Sequence, residues 1–359
     1  MNRTGDDTTG DGLISVVIDS PQTVNSTAFM VPVIFKNTSD VQLTLNYNMW
    51  ASVRANTATD DAATSRMTYY GNRGVWLGGG PSNSDVIDYF TIGTVSETAQ
   101  DFGNLSAARR AQASASNGAR GFSIAGYTTA NINVIEYITF ASTGDATDFG
   151  DSGVPLARYP AGASDGNRAV FMGGEDPTTI IDTTHFFPMT VSGDSVDFGE
   201  NSQARLAAAA TSNGSRACYI GGESPTKRDT IDYVTIGTIG AATDFGEITV
   251  ARAGLTGLSD GSRGIVAGGS TGSVSDVIDY FNMGSIGNAA DYGNLVTGTN
   301  GIAGSSNGSR GIVGGGATPG GGVSVDTVNY FAIGTLTATA TDFGELSQGR
   351  AFGAATSGD

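Results

Sequence analysis

A turn of the form Gly-x-Arg-Gly/Ala recurs six times along this chain of 359 residues, at Gly71, Gly118, Gly166, Gly214, Gly261 and Gly308, at intervals of 47 or 48 residues. Self-similarity at such a period means one small structural unit used repeatedly, and this limits the fold before any single residue is read. Five residues after each turn arginine stands a small pair: Gly78-Gly79, Ala125-Gly126, Gly173-Gly174, Gly221-Gly222, Gly268-Gly269 and Gly315-Gly316. An apolar-acid-aromatic run follows at Ile87-Asp88-Tyr89, Ile135-Glu136-Tyr137, Ile231-Asp232-Tyr233 and Ile278-Asp279-Tyr280, with Val328-Asn329-Tyr330 as a neutral variant and Ile181-Asp182-Thr183 as the departing third copy. Each unit then carries Asp-Phe-Gly, beginning at Asp101, Asp148, Asp197, Asp244 and Asp342, with Asp291-Tyr292-Gly293 as the sixth form. An arginine follows at Arg109, Arg158, Arg205, Arg252 and Arg350, and the fifth copy reads Gly298-Thr299-Asn300 instead.

Each unit reads as four short antiparallel strands. Asn213-Gly214 is a favoured hairpin dipeptide, because both central positions of a type I′ turn need positive φ. The first strand is small and rich in alanine, glycine and serine, as in 207–210 and 301–306, while the large side chains sit on the third and fourth strands. Four strands per 47 or 48 residues, graded from small to large, predict the blades of a β-propeller whose first strands converge on the axis. Six turns predict six blades over residues 66–359. The first unit starts at its second strand, so residues 350–357 are expected to supply the missing one and close the ring, removing two open edges.

Arginine, small strand, Gly-Gly, then Ile-Asp-Tyr resembles the kelch repeat. Thr235-Ile236-Gly237-Thr238 followed by Ala241-Ala242-Thr243-Asp244-Phe245-Gly246 is similar to a kelch-like array of virion proteins in marine tailed phages. The resemblance covers residues 66–359. It implies a virion protein of the tail-fibre or appendage type, made in the host cytoplasm and present in multiple copies per particle. It also implies that the face carrying the connections from strand two to three and from strand four to one binds partners.

Residues 1–54 lack the repeat and read as a small β-rich segment, with strands expected at 13–18, 30–35 and 41–47 and a fourth at 48–54. Residues 55–65 read as a polar linker. About fifty residues is marginal for an independent β domain, so residues 1–65 are expected to anchor the chain on other virion proteins. The first twelve residues are polar and acidic, with no apolar run after a basic start, and no secretory leader is read there. No stretch approaches 18 apolar residues, so no membrane insertion is expected.

Composition narrows the chemistry. A single histidine, His185, and a single cysteine, Cys218, exclude an internal disulfide and any site needing two imidazoles or two thiolates. The chain carries Lys+Arg 18 against Asp+Glu 35, a formal charge of −17, which argues against nucleic acid as a partner. No metal or cofactor is expected. The turn arginines Arg73, Arg120, Arg168, Arg216, Arg263 and Arg310, and the Asp-Phe-Gly aspartates, occur in every unit and are expected to hydrogen-bond within their blades. Arg109, Arg158, Arg205, Arg252 and Arg350 would stand near the central mouth like a broken ring. Together with Lys227 and Arg228 they are the candidate ligand-binding residues, suited to an acidic glycan or a carboxylate. The competing expectation is that each of the five caps its own blade through carbonyls. Places where the repeat breaks are further candidates: 151–155, Asp176-Pro177, His185, Lys227-Arg228 and the glycine run 320–322. The function read from these features is non-enzymatic attachment to a host-surface glycan or receptor. Two alternatives are an exterior capsid or tail decoration protein and a carbohydrate-active propeller enzyme using carboxylates.

Overall fold

The computed structural model describes residues 71–359 except 95–96, 154–157, 320–322 and 336–338, and, nearer the N-terminus, 15–18, 22–23, 29–30 and 33–36. The chain divides into two compact units, 1–64 and 65–359. In the first, Ser15–Ile18 pairs antiparallel with Val33–Lys36, and Gln22–Thr23 with Phe29–Met30. The expected strands at 41–47 and 48–54 and the linker at 55–65 lie outside the described residues.

The second unit is all-β among the described residues and forms a six-bladed propeller. Blade 2 runs Ala113–Ser116, Arg120–Ile124, Val134–Thr139, Thr147–Asp151, and blades 3, 4 and 5 repeat that order from Ala161–Ser164, Ala209–Ser212 and Thr256–Ser259. Blade 6 begins at Ala303–Ser306 and gains a short fifth strand, Glu97–Thr98, which pairs parallel with Thr341–Glu345. Blade 1 is closed as the repeat predicts: Ala354–Gly358 pairs antiparallel with Arg73–Gly79, placing Ala355 opposite Trp76.

Side-chain size follows distance from the axis because the first strands crowd together there. A Cβ on Gly162 would lie 2.3 Å from the Ser114 carbonyl oxygen, and one on Gly257 would lie 2.5 Å from that of Ala210. The second strands are buried almost throughout, being sandwiched between neighbouring blades, and exposure rises toward the fourth strand.

The Asp-Phe-Gly motif marks a β-bulge. In every blade the pairing of strands three and four shifts at the run that carries the acid, between Ile135 and Glu136 for instance, with Ile135 opposite Gly150 and Glu136 opposite Asp148. The aromatic residue is the extra one, and it turns into the interface with the next blade. Phe149 meets Phe187 at 5.4 Å between ring centroids, Phe245 meets Phe281 at 5.3 Å, and Phe343 meets Phe90 at 5.6 Å. The motif glycines lie at φ between +142° and +153°. A Cβ at Gly150 would sit 2.4 Å from the Gly193 carbonyl oxygen of blade 3, so the motif needs glycine on both counts. The aspartates are exposed, and the aromatic and the glycine carry the packing.

The bulge register also corrects the reading of the third copy. His185 lies opposite Asp197 just as Asp232 lies opposite Asp244, so Thr184-His185-Phe186 is the equivalent of Ile-Asp-Tyr and Ile181-Asp182-Thr183 is not.

The turn arginines bond between blades rather than within one. Each of five stacks on the aromatic of its own third strand, as Arg216 does over Tyr233 at 4.7 Å. Arg216 Nη1 then donates to the Met283 carbonyl of blade 5 at 3.0 Å, Arg263 Nη1 to Ile333 of blade 6 at 2.8 Å, and Arg310 Nη1 to Ile92 of blade 1 at 2.9 Å. With Arg73 donating to Phe140 and Arg168 to Ile236, five of the six guanidinium groups staple their blade to the one after it.

Candidate binding site at the propeller mouth

Two rings of residues encircle the axis, one of serines joined by four hydroxyl-to-carbonyl bonds and one of backbone that closes completely. At the turn end, Ser116, Ser164, Ser212, Ser259, Ser306 and Ser357 close the first strands, one from each blade, around a central cavity of about 190 Å³. Ser164 Oγ donates to the Ser116 carbonyl at 2.6 Å, Ser306 Oγ to Ser259 at 2.8 Å, Ser357 Oγ to Ser306 at 2.6 Å, and Ser116 Oγ to Ser357 at 2.7 Å. A hydroxyl that also accepts from a turn N–H, as Ser306 does from Gly308 at 2.8 Å, is well matched to this position.

At the opposite end the ring is made of backbone. The N–H of Ala111 donates to Phe352, Tyr159 to Ala111, Ala207 to Tyr159, Gly254 to Ala207, Gly301 to Gly254 and Phe352 to Gly301, all between 2.7 and 3.2 Å. These six residues form a closed collar, one per blade. All six lie at positive φ, from 52° at Ala207 to 71° at Gly301. Glycine adopts that conformation freely and alanine at small cost, whereas a bulky residue there is an outlier. Tyr159 and Phe352 are the two bulky exceptions, and their rings meet edge to face at 5.4 Å.

Outside the collar, the residue before each collar position bridges to the residue after each glycine pair: Arg110 with Tyr127, Arg158 with Glu175, Leu206 with Glu223, Ala253 with Ser270, Asn300 with Ala317 and Ala351 with Gly80. The backbone frame is the same around the mouth while the side chains differ at every blade. A pocket of about 210 Å³ opens here, and Tyr159, Phe352, Glu223, Lys227, Ser270 and Asn300 are among the residues lining it.

The expected broken ring of arginines does not form. Arg109, Arg205, Arg252 and Arg350 are buried, each in an ion pair with the acid on the third strand of the blade it opens: Glu136, Asp232, Asp279 and Asp88. Arg252 Nη2 lies 2.5 Å from Asp279, and its Nη1 donates to the carbonyls of Gly268 at 3.2 Å and Val277 at 2.6 Å. Arg205 and Arg350 use the same pattern of carbonyls. The cause is the distance of the motif from the surface. The first glycine of the pair and the residue at the start of the third strand each point a carbonyl inward, and a guanidinium with five donors satisfies them and the acid together. Burial pulls the Arg109 guanidinium down to about 10.

Both partners change in the two blades that lack this pair. In blade 6 they are Thr299 and Asn329, and in blade 3 the acid position is His185 while the sequence has Ala157, outside the described residues, where the arginine would stand. Arg158 therefore stands one position beyond the arginine site. It is partly exposed and grips Glu175 with Nε to Oε2 at 2.8 Å and Nη2 to Oε1 at 3.2 Å. Its guanidinium lies 5.7 Å from the Tyr127 ring centroid, and that of Arg110 lies 5.3 Å from it. His185 is stacked on Phe171 at 5.7 Å, and burial holds its imidazole below the ordinary value against a smaller opposing effect of Asp197. Cys218 is buried, its thiol pushed up to about 12 by desolvation.

Lys227 sits in the mouth pocket, 3.6 Å from Glu223. Arg228 turns back on its own loop, donating to the Ser224 carbonyl at 2.8 Å. The structure thus gathers Arg158 and Lys227 near the mouth and withdraws the other five candidates. Sequence reading missed Tyr159 and Phe352. The signal was present two residues before each first strand, where Ala111, Ala207, Gly254 and Gly301 are small and these two are not.

No protein-family model matches the chain, and no curated protein matches it.

Proposed function

We propose that this propeller is a non-enzymatic attachment module that meets its ligand at the mouth. The observation that carries the reading is the contrast between frame and side chains there: six equivalent backbone bridges present a different residue pair at each blade. Specificity on a rigid scaffold is built in this way. The turn end offers the opposite, the same serine from every blade. Following the kelch-like resemblance, the chain would be a virion protein, of the tail-fibre or appendage kind, carried in several copies. Residues 1–65 would hold other virion proteins, and the ligand would be a glycan or protein on the host surface.

The test uses the full chain. Fluorescently labelled protein is expected to adsorb saturably to host cells and to compete with whole particles for them. Adsorption that never saturates, or particle attachment indifferent to a large excess of the protein, would remove the attachment reading and leave an exterior decoration role.

A further inference from the structure

We propose that the mouth pocket is a seat for a neutral saccharide, stacked on Tyr159 and Phe352 and hydrogen-bonded by Glu223, Lys227, Asn300 and Ser270. This rests on the attachment reading and names its ligand class.

The aromatics come first. Four of the six collar positions are alanine or glycine, so the backbone ring does not call for a ring-bearing side chain. Tyr159 and Phe352 are held at φ 65° and 56°, a conformation that costs a bulky residue. Strain of this kind at a ligand mouth is retained where the side chain itself has a use. Both residues line the pocket and are partly exposed. Aromatic faces there offer flat apolar area beside water, which suits the C–H face of a pyranose.

The polar lining fixes the class. Glu223 accepts only, Lys227 donates only, and Asn300 and Ser270 do both. Vicinal hydroxyls, each a donor and an acceptor, match such a mixture. The two charged groups of the lining stand 3.6 Å apart and cancel, and the adjoining Arg158 is cancelled by Glu175. Arg109, Arg205, Arg252 and Arg350 are buried in ion pairs, and Arg110 and Arg228 donate to the carbonyls of Pro81 and Ser224. None of the six lines the pocket, so its lining holds no surplus cation for a phosphate, sulfate or uronic acid, and the chain as a whole carries −17. A neutral sugar is therefore favoured over the acidic glycan expected from the sequence.

The experiment screens the full chain against immobilised neutral, sulfated, sialylated and uronic-acid oligosaccharides, then titrates the best of them in solution. Its decisive variant is Tyr159→Gly with Phe352→Gly, which restores at both positions the residue already present at Gly254 and Gly301 and so keeps the collar. Expected are binding to a neutral oligosaccharide that is insensitive to salt, a loss of at least about tenfold in the double variant, and an unfolding midpoint close to that of the parent. Asn300→Ala should weaken the same titration. Undiminished binding by the double variant would overturn the seat while leaving attachment standing. Binding confined to anionic sugars and lost with salt would overturn the class. Host-cell adsorption with no saccharide binding would overturn this proposal in favour of a protein receptor, whereas absence of both would overturn the attachment reading too.

Discussion

The two rings on the propeller axis do the same mechanical job with different chemistry. At the turn end the bonds run from serine hydroxyl to serine carbonyl, so the ring exists only while the side chain is serine or a close equivalent. At the mouth they run from N–H to carbonyl, so the ring constrains φ and leaves the side chain open. A side-chain ring makes residues alike, and a backbone ring lets them diverge. Tyr159 and Phe352 could arise at the collar because nothing in its bonding depends on what projects from it.

Removing residues 350–359 breaks both rings at once, since it takes away Phe352, Ser357 and the first strand of blade 1. The loss is expected to be on the order of 5 kcal/mol or more, a large share of the stability of a typical domain, read as the midpoint and cooperativity of denaturant unfolding. An unchanged midpoint would mean that neither ring needs to be closed.

The buried ion pairs tie the collar to the blades, because Arg252 stands two residues before Gly254 and pairs with the blade's third strand. Arg252→Ala should cost about 3–5 kcal/mol by leaving Asp279 buried without a counter-charge. The double change Arg252→Thr with Asp279→Asn copies blade 6 and should recover most of that loss. Thermal unfolding of the three proteins checks it, and failure of the double variant to recover would show that blade 6 compensates by other contacts.

The smallest effects separate the rings directly. Ser164→Ala removes the hydroxyl that donates to the Ser116 carbonyl and should cost about 1 kcal/mol or more. Phe352→Gly removes a strained ring without touching the backbone bonds and should move stability by less than about 1 kcal/mol in either direction, relief of φ strain opposing the flexibility of glycine in the unfolded chain. Chemical denaturation of both resolves the difference. A larger loss at Phe352 than at Ser164 would place the strength of the collar in its side chains.

Blade number, strand order and closure were legible in the sequence because they follow from local periodicity: Gly-x-Arg turns, the glycine pair and the gradient of side-chain size each repeat within one unit. The Asp-Phe-Gly motif was visible, but its meaning was not, because a bulge is a relation between two strands and the interblade contact of Phe149 with Phe187 joins two units. The five arginines show the same limit. Their recurrence was plain, yet whether a guanidinium faces water or an inward carbonyl depends on how the strand-four connection crosses the blade top, which only the tertiary structure decides. Arg158 was misaligned by one residue through the same cause: its partner position, His185, could be recognised only from its pairing with Asp197. The collar rests on six residues far apart in sequence whose N–H and carbonyl groups meet only when the ring closes. The sequence held the odd sizes of Tyr159 and Phe352, and the fold alone put their rings edge to face at the mouth.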